Sequence, residues 1–385
     1  MINEQRLRDY FLELIQIDSE ARSERQIALR LKADLEALGA AVEEDDAGAR
    51  FRSNSGNLIG RLTGTSSQSS PPMLLCAHMD TVVPGKGIKP IIDGDIIHSD
   101  GSTILGGDDK TGIAALMEAL RSAKEQNVPL GDLEIVFTIC EERGLLGAIG
   151  LDASKLRSKF GLVFDSDEPG VLFTKAPAAN HLEWHIYGQE AHAGMAPERG
   201  ISAIKIASEA IAQMQVGRID FETTANIGVI NGGMATNIIP NHVEIHGETR
   251  SRSIEKLDAQ TRHMDHCFHD AAARYSLDLD GKTIQARVES KIERAYDLMN
   301  VPDNAPIVKM VQQAARNIGV EITLKAMGGA CDANIFNGKG ISCANLGTGM
   351  RDIHTTSEWV DVRDLMKAGN MIFELLRLHG SGAAV

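Results

Sequence analysis

Aromatic residues are scarce in this chain. Phe, Tyr and Trp make up 4% of its 385 residues, too few for the stacking platforms that read single-stranded nucleic acids. Positive charge is also in deficit: 39 basic residues stand against 53 acidic ones, a formal net charge of −14. A nucleic acid or an anionic membrane surface needs a basic stripe, so neither is expected as a partner. Cysteine is limited to Cys76, Cys140, Cys267, Cys331 and Cys343, widely spaced and without a CxxC pair. That spacing argues against a disulfide scaffold and against a cysteine zinc site. Cys76 and Cys140 lie inside apolar runs and read as buried, unreactive thiols. No apolar run reaches the roughly 18 residues of a membrane helix, and the N-terminal stretch MINEQRLRDYFLELIQI is punctuated by charge and lacks a signal-peptide core. A cytoplasmic enzyme is the expectation that survives these exclusions.

Hydrophobic residues, at 43%, are ample for a core, and the length suits two domains at roughly 100–200 residues each. Residues 4–17 and 23–39 carry helical periodicity, the second opening on a capping-box signal from Ser23 and Gln26. The polar stretch GTSSQSSPP (64–72) reads as a surface loop. Short apolar runs come next, MLLCAH (73–78), LEIVFTIC (133–140) and GLVFD (161–165), with a helical pattern at 110–124 between the first two. Such alternation predicts an α/β domain whose mostly parallel sheet has helices on both faces. After Asp165 the style changes. Residues 181–188 and 242–250 alternate like half-exposed antiparallel strands, and helical patterns at 200–215 and 253–274 accompany them. This order predicts a small α+β sandwich, ferredoxin-like, closing near Val288. The α/β style returns from 304, with a helix, a strand near 320–325, the run ISCANL (341–346) and a final helix at 357–379. The predicted organisation is a domain made of 1–176 and 291–385, interrupted by an insert at 177–290.

Acidic and histidine residues gather at the ends of the apolar runs. MLLCAH ends in His78-Met79-Asp80, and the carboxyl ends of strands are where open α/β sheets bind ligands. Taken alone, His78 is as readily a satisfied polar residue. A carboxylate at Asp80 could hold one ring nitrogen and leave the other free to coordinate. The loop LGGDDKTG (105–112) opens a helix, but Asp108-Asp109 would repel phosphate, which rejects a nucleotide cradle. One aspartate suits an N-cap and the other a metal ligand. Glu141-Glu142 come directly after LEIVFTIC, Asp165 ends another apolar run, and His354 precedes the last helix in RDIHTTSE. Five such donors exceed one tetrahedral zinc site and suit two metals sharing a carboxylate, with a further glutamate free to act as a base. The HExxH, GxSxG and GxGxxG signatures of competing chemistries are absent from the sequence.

Across essentially its whole length, the order His-x-Asp, Gly-Asp-Asp-Lys, Glu-Glu, Asp and a late His resembles the co-catalytic zinc peptidases that include peptidase T, carboxypeptidase G and succinyl-diaminopimelate desuccinylase. The segments HMDTV (78–82), LGGDDKTGIA (105–114), EERGLLGA (141–148) and FDSDEPG (164–170) are most similar to peptidase T-like members. The resemblance implies that His78 and Asp165 hold one metal, that Glu142 and His354 hold the other, and that Asp108 bridges them. It further implies that Asp80 orients His78, that Glu141 is the general base, and that the peptide bond after Asp108 is cis. In the insert, which it implies is a lid, His192 would donate to the oxyanion while Asn237 and Arg250 contact substrate. Residues 328–334 (GGACDAN) resemble a loop on the substrate side. Bland alternatives remain, since His192 could cap the following helix and Arg250 could pair with a surface acid. The expected activity is hydrolysis of short peptides by an aminopeptidase or tripeptidase using two divalent metals, zinc first, with cobalt or manganese also suited. A carboxypeptidase or N-acyl-amino-acid amidohydrolase shares all these metal residues, and a non-catalytic binding protein would have little use for Glu141. A homodimer through the lid is implied by analogy alone.

Overall fold

Residues 73–78 and 133–138 are buried at every position. A strand without an exposed face belongs at the centre of a sheet covered on both sides. In the computed structural model, which describes residues 1–68 and 70–382, they form β1 (Met73–His78) and β2 (Leu133–Thr138). With β3 (Phe160–Val163) and β4 (Ser342–Leu346) they make the parallel centre of the main sheet, in the order β2-β1-β3-β4. The flanks are antiparallel: Leu58–Leu62 runs against β2, and Val171–Ala176 against β4. The sheet is therefore parallel where it carries the site and mixed at its edges. Gly161 shows how tightly the centre packs, since a Cβ there would lie 2.2 Å from the Leu74 carbonyl oxygen of β1.

Helix α1 (Gly107–Glu125) packs on β1, on the N-terminal helix Glu4–Ile15 and on the C-terminal helix Val362–Gly380. Two expected helix starts move. The helix expected from Ser23 begins at Arg25, with Glu24 at the N-cap and no side-chain cap bond. The Glu24 carboxylate is turned instead toward Arg22 N, Cys140 N and Ser53 Oγ. The last helix begins at Val362 rather than at 357, because Trp359–Asp361 is a strand paired with Ile96–Ser99. Cys76 and Cys140 are fully buried free thiols.

The chain divides into two compact units, Met1–Ala176 with Met299–Val385, and Pro177–Leu298, each with its own core. The expected insert end at 290 falls inside the strand Arg287–Tyr296, whose pairing with Ala178–Tyr187 continues through a bulge at Arg294 to Tyr296. The boundary thus lies at Leu298. In the second unit an antiparallel sheet runs in the order Thr223–Gly232, His242–Ser251, Ala178–Tyr187, Arg287–Tyr296. Alternate side chains such as Leu182, Trp184 and Ile186 face the helices Ala203–Gln213 and Ile254–Ala273. Trp184 packs on Phe268 at 4.7 Å between ring centroids and donates its indole N–H to Asp265 Oδ1 at 3.1 Å. This is the ferredoxin-like arrangement that the alternation predicted.

Candidate metal centre

Three central strands release their chains at one edge of the main sheet, and each delivers a donor. His78 is the last residue of β1. Glu141 and Glu142 lie in a short turn just past β2, entered through Cys140 at a left-handed φ of 49°. Asp165 comes two residues after β3. Asp108 comes from the first turn of α1, where Asp108 and Asp109 depart from helical dihedrals and the peptide between them is cis. His354 sits in a turn before Trp359–Asp361 at a left-handed φ of 62°.

These side chains converge on Asp108. His78 Nε2 lies 2.9 Å from Asp108 Oδ1, and His354 Nε2 lies 3.1 Å from Asp108 Oδ2. His354 Nε2 is also 2.9 Å from Glu142 Oε1. Donor atoms of His78, Asp108 and Asp165 all lie within 4.8 Å of one another, as do those of Asp108, Glu142 and His354. Asp108 belongs to both sets. A third set, His78, Glu141 and Glu142, meets the same distance, so geometry alone does not separate Glu141 from the ligands. Asp80 lies against the His78 ring and also braces its neighbours. Its backbone carbonyl receives His78 Nδ1 at 3.0 Å, and its carboxylate lies 3.6 Å from the same nitrogen as an ion-pair partner. That carboxylate accepts the N–H groups of Glu141 at 2.9 Å and Glu142 at 3.2 Å, and so fixes the glutamate turn.

Electrostatics explain what such a cluster wants. Burial pushes the Asp165 carboxyl up to about 8, helped by the negative charge of Asp108. Burial and Asp165 together raise Glu141 well above the carboxylate range, and burial raises Glu142. Burial also works to raise Asp108, but hydrogen bonds from His354 and His78 overcome it and hold that carboxyl below its usual range. In return Asp108 and Glu142 lift His354 to about 10. Carboxylates this close cannot all ionise unless cations sit among them. Nitrogen and oxygen donors grouped in two sets around a shared carboxylate fit two divalent ions, which would replace the protons that the cluster otherwise retains.

The site opens into a cavity of about 440 Å³ lined by Asp108, Glu141, Glu142, Asp165 and His354 together with Phe173, Met350 and residues 326–331. The first four residues of GGACDAN, 328–331, therefore line the same cavity as the donors, while 332–334 open a buried helix. The remaining candidates lie in the second unit. His192 and Asn237 are neighbours there, with Ala193 N donating to Asn237 O at 2.9 Å. His192 Nδ1 accepts from Gly194 N at 3.2 Å and Met195 N at 3.1 Å, which leaves the ring proton on exposed Nε2. Arg250 makes a bidentate pair with Glu248 on its own strand, at 2.9 and 3.0 Å.

Residues that hold the donors from behind escaped the sequence reading. Asn345 of β4 accepts Asp165 N–H at 2.9 Å and donates back to the Asp165 carbonyl. Its signal was a lone amide in the otherwise apolar run ISCANL. Glu24 accepts the N–H of Cys140 at 3.1 Å and so braces the glutamate turn from a helix far away in sequence. Nothing local marks it. Glu358, four residues past His354, grips the Asp108 loop.

A family model described as Peptidase family M20/M25/M40 matches residues 74–378. The chain is 42% identical over 377 residues to the uncharacterized protein YqjE of Bacillus subtilis (strain 168), covering 98% of this chain and 99% of that one. Its structure is similar to that of aminopeptidase PepT from Bacillus cereus ATCC 10987, with TM-score 0.90, 41% identity and 99% of each chain covered. A tripeptidase from Staphylococcus aureus subsp. aureus mu50 gives TM-score 0.92 and 39% identity, over 99% of this chain and 100% of that one.

The titration pattern makes a pH prediction for the metal-free protein. Asp165 moves from the usual value of about 3.9 to about 8, so the folded state binds the extra proton and stability falls as pH rises between those values. His354, raised to about 10, loses its contribution in the same direction as pH climbs past about 6.5. Divalent cations remove both penalties. The gain in Tm on adding zinc is therefore expected to be larger at pH 8.5 than at pH 6, measured by thermal scans of chelator-treated protein. A gain independent of pH would contradict the assignment.

Proposed function

The chain belongs to peptidase family M20/M25/M40, and from that premise we propose that it is an aminopeptidase of short peptides, a tripeptidase of peptidase T type working with two divalent cations. The observation that carries the reading is the pair of donor sets sharing Asp108, set in a cavity large enough for a peptide of a few residues. Similarity to an aminopeptidase and a tripeptidase over nearly the full chain supports the substrate class. His78, Asp108 and Asp165 would hold one cation, and Asp108, Glu142 and His354 the other. Zinc is the first candidate, and cobalt or manganese suits the same nitrogen and oxygen donors. Bound there, the cations would supply Lewis acidity toward the substrate carbonyl and the attacking water.

The residues of the chain then divide the remaining work. Glu141, buried and raised in proton affinity, takes a proton from the attacking water and returns it to the leaving amine. Asp80 fixes the backbone from which Glu141 and Glu142 project. His192 carries its ring proton on Nε2 and donates a hydrogen bond through it to the developing oxyanion, while Asn237 and Arg250 grip the substrate, the guanidinium exchanging Glu248 for a substrate carboxylate. Dimerisation through the inserted unit and a cytoplasmic location belong to the same reading. Among the described residues no helix is long and apolar enough to cross a membrane.

A pair of substrates tests the activity. Metal-loaded protein is expected to release the N-terminal residue of a free tripeptide and to leave the N-acetylated tripeptide intact. Preference for the acetylated peptide would instead favour an N-acyl-amino-acid amidohydrolase. A substitution tests the general base. Glu141→Gln keeps shape but cannot take the proton, so kcat should fall by about 10²–10⁴-fold while metal content by elemental analysis stays at the wild-type level. Lost metal with unchanged turnover per bound metal would remove Glu141 from that role.

A further inference from the structure

Leu105, Gly106 and Asp108 present backbone N–H groups at the start of α1, where a helix leaves its first donors without acceptors in the helix. One side chain takes all three. Glu358 Oε2 accepts from Leu105 N at 2.8 Å and Gly106 N at 2.7 Å, and its Oε1 accepts from Asp108 N at 3.0 Å. Glu358 is 1% exposed. Its backbone is held with equal firmness. Glu358 N donates to the Thr355 carbonyl at 3.2 Å, and Thr355 Oγ1 donates to the Asp352 carbonyl at 2.7 Å, closing the turn that contains His354. Glu358 then leads into Trp359–Asp361, which pairs with Met350–Arg351 on one side and Ile96–Ser99 on the other. The contact has no slack on the loop side. A Cβ built on Gly107 would lie 3.0 Å from Glu358 Oε1 and 3.0 Å from Val360 Cγ2.

We propose that Glu358 is a positioning residue of the metal centre: its carboxylate locks the Asp108 loop to the His354 turn, and thereby sets the affinity of the Asp108–Glu142–His354 donor set for its cation. The inference rests on the two-cation reading of the site and adds a residue to it. The direct bond between Asp108 and His354 is made by their own side chains at 3.1 Å, a contact that a cation between them must replace. The clamp carboxylate grips main-chain N–H groups, so it persists when the Asp108 and His354 side chains turn from each other to a metal. Ligands must be held within about 0.5 Å of their productive positions, and outer partners that hold them typically govern about 10–100-fold in metal affinity. His78 and Asp165 sit at the ends of β1 and β3, outside the reach of the clamp, so the other donor set shares only Asp108 with it and keeps two donors held elsewhere.

Glu358→Gln is nearly isosteric but turns an NH2 donor toward one or more of the three N–H groups. Metal-free wild type and variant would be titrated with Co²⁺, following the visible absorption of the bound ion against a competing chelator, with thermal scans of the metal-free proteins alongside. The expected result is that one of two cations binds about 10–100-fold more weakly, while the other, which keeps two donors outside the clamp, is weakened less. Glu358→Asp, which keeps the charge but is one methylene shorter, is expected to fall between the two. Two unchanged isotherms in folded Glu358→Gln, whatever its Tm, would overturn the proposal and leave Glu358 a purely structural residue. Should that variant not fold, Gly107→Ala presses a methyl group on the retained carboxylate. It is expected to weaken the same cation, and an unchanged isotherm would overturn the proposal. A wild-type chain that binds no second cation would overturn the metal reading and this inference together. A wild type that binds two while both variants match it would overturn this inference alone.

Discussion

The carboxylate of Asp108, received by two histidines, is the constraint on which the rest of the site depends. It is 5% exposed, and an ionised carboxylate so buried is costly unless it is paired and hydrogen-bonded. The partners come from opposite ends of the chain: His78 from the first central strand and His354 from a turn beyond the last one. Holding them together requires that the first and last parts of the chain fold into one unit, with the insert from Pro177 to Leu298 leaving it and returning.

Around that carboxylate the fold concentrates like charges. Parallel strands all end at the same edge, so the segments leaving β1, β2 and β3 must share the space there. In this chain those segments carry His78, then Glu141 and Glu142, then Asp165, and the turns that bear them are fixed from behind by polar side chains acting on the backbone. Asp80 holds the glutamate turn, Asn345 holds Asp165, and Glu358 holds the Asp108 loop. The backbone that carries each donor is thereby held without drawing on the donor's own side chain. Their side chains are free to trade contacts with one another for contacts with cations, and the raised proton affinities of Asp165 and Glu141 express how unfavourable the cluster is without positive charge.

Much of this was legible in the sequence because the residues concerned obey a local pattern. Apolar runs announced β1, β2 and β3, and a polar residue at the end of an apolar run announced His78, Glu142 and Asp165. Roles were another matter. The pairing of donors into two sets came from resemblance, since spacing along the chain says nothing about which strand ends meet. Where the reading erred, a side chain had a distant partner. Ser23 and Gln26 look like a cap, yet the helix starts two residues later because Glu24 is engaged with Cys140 and Ser53. Residues 357–361 look helical, yet three of them complete a strand beside Ile96–Ser99. Asn345 and Glu358 act on backbone groups far away in sequence, a kind of contact for which no periodicity exists.

Anomalous diffraction from crystals grown with zinc locates the ions against their donors. Two zinc peaks are expected about 3.5–4 Å apart, with one Asp108 oxygen directed at each, His78 and Asp165 on one ion, and Glu142 and His354 on the other. A single peak, or two peaks with Asp108 bound to only one of them, would contradict this assignment.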